Sequence, residues 1–124
     1  MNHPISARFV ELLMTRVRDK AIGDWERMIA AEMKGVSGEE IRTQIALFTA
    51  DQRNELINLV PQIVDTTVHH LLFTLEQDHD VEVLVNDSNG GVQNVREISN
   101  GLAGELSGNH GWVARFSAKS KEHI

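Results

Sequence analysis

Residues 49–77 read TADQRNELINLVPQIVDTTVHHLLFTLEQ and include the most apolar part of the chain. Thr49 followed three residues later by Gln52 is typical of a capping box, which predicts that a helix begins there. Proline lacks a backbone donor, so Pro61 either kinks this helix or lies early in a fresh one. Helical spacing of apolar residues continues to about Gln77. We therefore expect this segment to lie at the centre of the core.

The residues before this segment predict further helices. Between Ile5 and Gly23 the apolar residues fall on one face of a helix. Glycine favours helix ends, so Gly23 is expected to end the first helix and Asp24 to cap a second. A capping box at Ser37 and Glu40 predicts another. The apolar face of the first helix consists of Phe9, Leu12, Leu13, Val17 and Ala21.

The pattern changes after Asp80, where β-branched residues replace the helical spacing. Residues 81–85 predict a strand, 86–91 a loop and 92–98 an antiparallel return strand. Residues 100–106 fit a short helix or a loop equally well, and alternation from Trp112 to Phe116 predicts a third strand. The fold class is therefore α+β, with an N-terminal array of four to five helices packed against a small C-terminal antiparallel sheet of two to three strands.

Composition indicates one small globular domain spanning residues 1–124. Of its 124 residues, 41% are apolar and 24% are charged, which is ordinary for a folded chain. Within it, residues 1–78 are expected to be mainly helical, 79–118 to hold the hairpin, the Gly-rich segment and the final strand, and 119–124 to form a polar tail. The chain contains no cysteine, which excludes disulfides, thiolate metal sites and cysteine nucleophiles. Without a signal peptide or membrane-spanning stretch, the chain is predicted to be cytoplasmic.

Charge is distributed unevenly along the chain. The net charge is −6, and residues 61–112 hold eight acidic residues against Arg96 alone. Such a surface repels nucleic acid and anionic membranes and attracts a basic protein. An excess of acidic residues also keeps a small domain soluble, which is the simpler explanation of the same pattern.

A run of acidic residues at the junction of the two halves is the predicted partner-binding site. No Lys or Arg occurs among residues 76–87. A helix C-terminus carries partial negative charge, so carboxylates placed there destabilise the helix unless a cation approaches. Carboxylates on loops and strand edges can pair with Arg and Lys of a basic partner. The predicted site comprises Glu76, Asp78, Asp80, Glu82 and Asp87.

The histidines near this run are the candidates for a metal site. Adjacent side chains on a helix point about 100° apart, so His69 and His70 do not readily share one ion. His79 lies between two aspartates, but the calcium-loop pattern fails because Val83 occupies the glycine position. No phosphate-binding loop or nucleophile elbow has the required spacing. We therefore expect no metal and no cofactor.

These observations favour a non-enzymatic acidic module that binds a basic protein, such as an immunity or antitoxin-type inhibitor of a toxin nuclease. One alternative is a small metal-dependent or acid–base enzyme using His69 or His70 with the carboxylates of residues 78–80. Another is a structural subunit that forms homo-oligomers through the edge of its sheet.

Trp25 and Trp112 are expected in the core because both lie on apolar faces.

Overall fold

The computed structural model describes residues 4–30, 36–86, 90–97, 101–108 and 110–119. They form a mainly helical array with one two-stranded antiparallel sheet towards the C-terminus, which confirms the α+β class. The helices and strands are α1 (Pro4–Leu12), α2 (Asp19–Ile29), α3 (Val36–Ile45), α4 (Ala50–Gln77), β1 (Leu84–Asn86), β2 (Val92–Asn94) and α5 (Trp112–Phe116).

The first two helices form one continuous rod. A π-helical segment, Leu13–Arg18, joins α1 to α2 without a break, and the backbone N–H of Asp19 donates to the carbonyl of Met14, five residues earlier. The predictions that Gly23 ends a helix and that Asp24 caps another are wrong, because both lie inside α2. A single glycine costs a helix only about 1 kcal/mol, which tertiary packing readily overrides.

The π-helical segment also rotates the rod's buried face. It holds one more residue per turn than an α-helix, so the side chains after it are displaced by about 100°. Val17, which the α-helical spacing places in the core, is 50% exposed, whereas Arg18 is fully buried. An arginine therefore occupies the interior position that sequence periodicity assigned to a valine.

The longest helix begins and ends close to where the sequence predicts. The Thr49 hydroxyl accepts from the backbone N–H of Gln52 at 3.1 Å, and the Gln52 side chain accepts from the N–H of Thr49 at 2.8 Å. This confirms the capping box. Pro61 lies inside α4, which continues to Gln77, so the idea of a fresh helix at Pro61 is wrong. Within the described residues, no helix has both the length and the apolar character needed to cross a membrane.

The C-terminal part contains less sheet than the alternation of residues suggests. β1 and β2 pair antiparallel, with Val85 opposite Gln93. The predicted third strand is wrong, because Trp112–Phe116 is the short helix α5. Trp112 and Phe116 are four residues apart, a spacing that places them on one face of a helix as well as of a strand. The ambiguous 100–106 stretch includes a 3₁₀ turn at Ala103–Glu105.

Two apolar clusters form the core. The first packs α1 and the π-helical segment against the second half of α4 and the C-terminal part, and it contains Trp112, which is 2% exposed. The second joins α2, α3 and the first half of α4 through Ile22, Ile29, Ile45 and Val60. α4 contributes to both clusters and therefore connects the two ends of the molecule.

A network of buried ionic groups lies between the two apolar clusters. Its residues fall between those of the two clusters on the rod and also on α4. The Arg18 guanidinium donates to both carboxylate oxygens of Asp65 in α4, with distances of 2.5 and 3.2 Å. Its Nη1 also donates to Asp19 Oδ1, to Ser117 Oγ and to the carbonyl of Lys119. A buried charge requires such partners, because an unpaired ion in the interior costs several kcal/mol.

The same network holds the C-terminal segment against the rod. Ser117 Oγ donates to Asp19 Oδ1 at 2.6 Å, and the backbone N–H of Ala118 donates to Asp19 Oδ2 at 2.7 Å. Beyond it, Lys119 Nζ pairs with Glu26 at 2.8 Å. The segment after α5 is therefore anchored to α2 through side chains of both charges.

Replacement of Ser117 by alanine should lower the free energy of unfolding by about 1–3 kcal/mol, because Arg18 and Asp19 each lose a hydrogen bond. Urea unfolding followed by circular dichroism measures this loss. Ser107→Ala is the matched control, because the Ser107 side chain is exposed, and it should change stability by less than about 0.5 kcal/mol. Equal effects of the two substitutions would show that the Ser117 contacts contribute nothing.

Candidate functional site

The acidic residues of the predicted site occupy the C-terminal end of α4 and the segment leading to β1. Asp78 caps α4, and its Oδ1 accepts from the backbone N–H of Asp80 at 2.9 Å, which places both residues in one tight turn and orients the Asp78 carboxylate. Asp78, Asp80 and Glu82 are all exposed. Asp87 lies outside the described residues.

Glu76 differs from the other carboxylates because it stabilises the fold. Its Oε1 accepts from the backbone N–H of Ala103 at 3.0 Å, at the start of the 3₁₀ turn. This bond connects the end of α4 to the C-terminal part of the chain. Glu76 also belongs to the predicted partner-binding site, and this bond gives it a structural role as well.

Arg96 neutralises the end of α4 through the main chain. Its guanidinium donates to the carbonyls of Leu75, Asp78 and Val81 at 2.9, 2.8 and 2.9 Å. Cationic side chains at this position satisfy free carbonyls and oppose the partial negative charge of the helix end. The destabilisation expected from carboxylates at a helix C-terminus is therefore relieved within the chain.

The exposed carboxylates themselves have no cationic partner. Among the described residues, no Lys, Arg or His lies within ion-pair distance of Asp78, Asp80 or Glu82. Arg96 lies nearby, but its donors are directed to carbonyl oxygens. Three negative charges therefore remain available at one end of the molecule.

Two of these carboxylates border an open hollow of about 430 Å³, which we call the acidic hollow. Phe73 is 48% exposed, and its ring stacks on His69 with 6.5 Å between ring centroids. An exposed aromatic side chain beside two carboxylates suits a guanidinium or ammonium group, which interacts favourably with both. The acidic hollow is lined by Phe73, Thr74, Gln77, Asp78, His79 and Asp80.

The histidines do not come together as a metal site in the described part of the chain. His69, His70 and His79 are exposed, and the rings of His69 and His70 meet edge to face with centroids 5.5 Å apart. The described residues contain no group of three or more His, Asp or Glu side chains arranged to hold a metal ion. The metal-dependent alternative therefore gains no support from this geometry.

A second cavity, of about 310 Å³, brings together three residue types used in nucleophilic catalysis. Asp65, His69 and Ser107 all line it. However, both oxygens of Asp65 accept from Arg18, and no hydrogen bond links His69 to Ser107. Nucleophilic catalysis needs the base within hydrogen-bonding reach of the hydroxyl and oriented by a third group, and neither condition is met.

An apolar groove between α2, α3 and α4 is a feature that sequence reasoning missed. It encloses about 330 Å³, and among the described residues that line it Gln44 is the one polar residue. Trp25 lies at this groove and is 41% exposed, so the prediction that it belongs to the core is wrong. Trp112 is buried, as predicted.

Sequence reasoning also missed Phe73 and Arg96. Phe73 was counted within an apolar stretch, although on a helix it lies about 100° from the buried Leu72. Arg96 is the single Lys or Arg among residues 61–112, and that isolation was a usable signal that its guanidinium bonds to groups nearby. Its targets are backbone carbonyls, which no residue pattern reveals.

Comparison of the chain with protein-family models, with curated proteins and with solved structures gives no match. The geometry of the described residues therefore carries the functional argument.

Replacement of Arg96 by glutamine should destabilise the end of α4, because three carbonyls lose a charged donor. The expected loss in the free energy of unfolding is about 1–3 kcal/mol, with faster amide hydrogen exchange in the last turns of α4. Arg16→Gln, at an exposed position, is the control. Unchanged exchange in the last turns of α4 would contradict the role of Arg96.

Proposed function

We propose that this chain is a non-enzymatic binding module that engages a basic protein through the acidic hollow and the neighbouring Glu82. The class of protein that fits is an immunity or antitoxin-type inhibitor acting in the cytoplasm on a basic toxin such as a nuclease. The observation that carries the proposal is the exposure of Asp78, Asp80 and Glu82 without a cationic partner in the described structure.

The hydrogen bonding at the C-terminal end of α4 supports this proposal. Arg96 stabilises the helix end by bonding to carbonyls, while the carboxylates beside it stay exposed. Stability of the helix end therefore does not require Asp78 or Asp80 to pair within the chain. A partner's arginine can then pair with these carboxylates and stack on Phe73 without displacing an internal bond.

The overall charge acts in the same direction. With a net charge of −6, the chain attracts a basic protein over a distance of about 10 Å at moderate ionic strength. Charge complementarity of this kind speeds association and discriminates against acidic partners. The complex is therefore expected to form quickly and to weaken as salt is added.

The proposal is tested with the paired substitutions Asp78→Asn and Asp80→Asn. Asparagine at position 78 keeps an oxygen that can accept from the backbone N–H of residue 80. The two substitutions together remove both negative charges. The purified chain, immobilised, is used to capture proteins from lysate of its source organism, and the affinity of the captured protein is then measured by calorimetry. A basic protein should bind the unmodified chain and bind the variant at least about tenfold more weakly.

The matched control is Glu11→Gln with Glu40→Gln, which removes two exposed charges elsewhere on the surface. It should weaken binding by less than about threefold, because distant charges contribute only screened attraction. Capture of no basic protein, or equal losses in both variants, would reject the acidic hollow as the binding site.

A further inference from the structure

The outer face of α4 carries an exposed stripe that contains no Asp, Glu, Lys or Arg and in which three of six residues are apolar. Its members recur at alternating intervals of four and three residues, the spacing of the seam by which one helix packs along another. All six are exposed, and the three apolar ones, Leu59, Ile63 and Phe73, are 46%, 61% and 48% exposed. We call these residues the outer stripe: Leu59, Ile63, Thr66, His70, Phe73 and Gln77.

This stripe lies opposite the face of α4 that enters the core, and Ile63 also lines the apolar groove. The buried positions are Val60, Val68, Leu72 and Leu75, together with Asp65 bonded to Arg18. A surface helix is normally polar on the face opposite its core face. α4 departs from that rule in that three of the six outer-stripe residues are large and apolar and none is Asp, Glu, Lys or Arg, and folding does not explain their exposure.

Charged residues are missing from this face. Between Glu55 and Glu76 the only Asp, Glu, Lys or Arg is Asp65, which is 8% exposed and bonded to Arg18. Charged residues make up 24% of the whole chain, so about five would be expected in a stretch of this length. Depletion of charge at the centre of a surface patch is the compositional signature of a protein interface.

Thr66, one of the three polar members of the stripe, is compatible with burial against another chain. The Thr66 hydroxyl donates to the carbonyl of Gln62 at 2.8 Å, so its donor is satisfied inside the helix. A hydroxyl that is already bonded adds little desolvation penalty when a partner covers it. The apolar groups on either side then determine the affinity.

The outer stripe ends in the acidic hollow. Phe73 and Gln77 belong to both, so the uncharged face leads without interruption to Asp78 and Asp80. We infer that the outer stripe docks an amphipathic helix of the basic partner, with its apolar face along α4 and its Lys or Arg residues clustered at the end that reaches the acidic hollow. This inference rests on the proposed function and names the form of its partner.

Charge argues against a second copy of this chain as the occupant. The first turns of α4 carry Asp51 and Glu55, and the side chain of Arg53 donates to the carbonyl of Ile45. An antiparallel pair of α4 helices would bring these acids against Asp78 and Asp80, and a parallel pair would bring two acidic hollows together. Both arrangements place like charges side by side.

The length of the stripe sets the length of the helix. From Leu59 to Gln77 it extends about 27 Å, which a partner helix of about 20 residues spans. A suitable probe is a synthetic peptide of about that length, with leucines at coiled-coil spacing and Lys and Arg residues confined to one end. A second peptide, with glutamine in place of every Lys and Arg, tests the contribution of charge.

The experiment measures binding of both peptides by fluorescence polarisation and maps the contact surface by amide chemical shifts. The basic peptide should bind at least about tenfold more tightly than the glutamine peptide and shift the amides of the outer stripe. Leu59→Gln with Ile63→Gln should weaken its binding at least about tenfold. The matched control, Leu47→Gln with Phe48→Gln, removes two apolar side chains outside the stripe, one of them from the apolar groove, and should leave binding within about twofold.

The variants separate failure of this inference from failure of the proposed function. If Asp78→Asn with Asp80→Asn weakens binding but the stripe variant does not, the inference about the outer stripe is wrong. The acidic hollow then remains the proposed binding site. If only the stripe variant weakens binding, the proposal that the acidic hollow binds a basic partner is wrong. Absence of saturable binding up to about 1 mM, equal loss in the control, or a dimer of the free chain that the stripe variant dissociates would each overturn the inference.

Discussion

The buried guanidinium of Arg18 is the constraint on which the rest of the structure depends. It is fully buried, so each of its donors needs an acceptor, and the acceptors come from α4, from the rod and from the segment after α5. The bidentate bond to Asp65 is directional, so it sets the rotation of α4 about its own axis. With Asp65 facing inward, Leu59, Ile63 and Phe73 must face outward.

This arrangement connects folding to recognition. α4 uses one face for both apolar clusters and leaves the other uncharged and exposed. At its C-terminal end the chain satisfies its own carbonyls with Arg96 and connects to the 3₁₀ turn through Glu76. The carboxylates of Asp78 and Asp80 consequently take part in no internal bond among the described residues except the one by which Asp78 accepts from the backbone N–H of Asp80. The binding proposal therefore rests on groups that folding leaves exposed: the carboxylates of Asp78 and Asp80 and the outer face of α4.

Local patterns in the sequence were enough to predict the fold class, the capping box at Thr49, the two ends of α4 and the presence of the hairpin. The strands themselves were predicted too long, because 81–83 lie outside β1 and Val95–Glu97 forms a 3₁₀ turn. They failed where a structure depends on distant contacts. A π-helical insertion cannot be read from a period of 3.6, so Val17 and Arg18 exchanged their expected environments. At the candidate site, the exposed aspartates were identified from composition, but Glu76 received its structural role from the backbone of Ala103, far away in sequence. The exposure of Phe73 at the acidic hollow could not be predicted, because it depends on which face of α4 is buried.

The most direct test of this account is a double-mutant cycle on the buried ion pair, with Arg18→Met, Asp65→Leu and the two combined. Free energies of unfolding come from urea denaturation. Each single substitution leaves a charge without its principal partner and should cost about 3–5 kcal/mol, whereas the double variant should lose at least about 2 kcal/mol less than the sum. Losses that simply add, or single losses below about 1 kcal/mol, would show that the pair does not hold α4 in place.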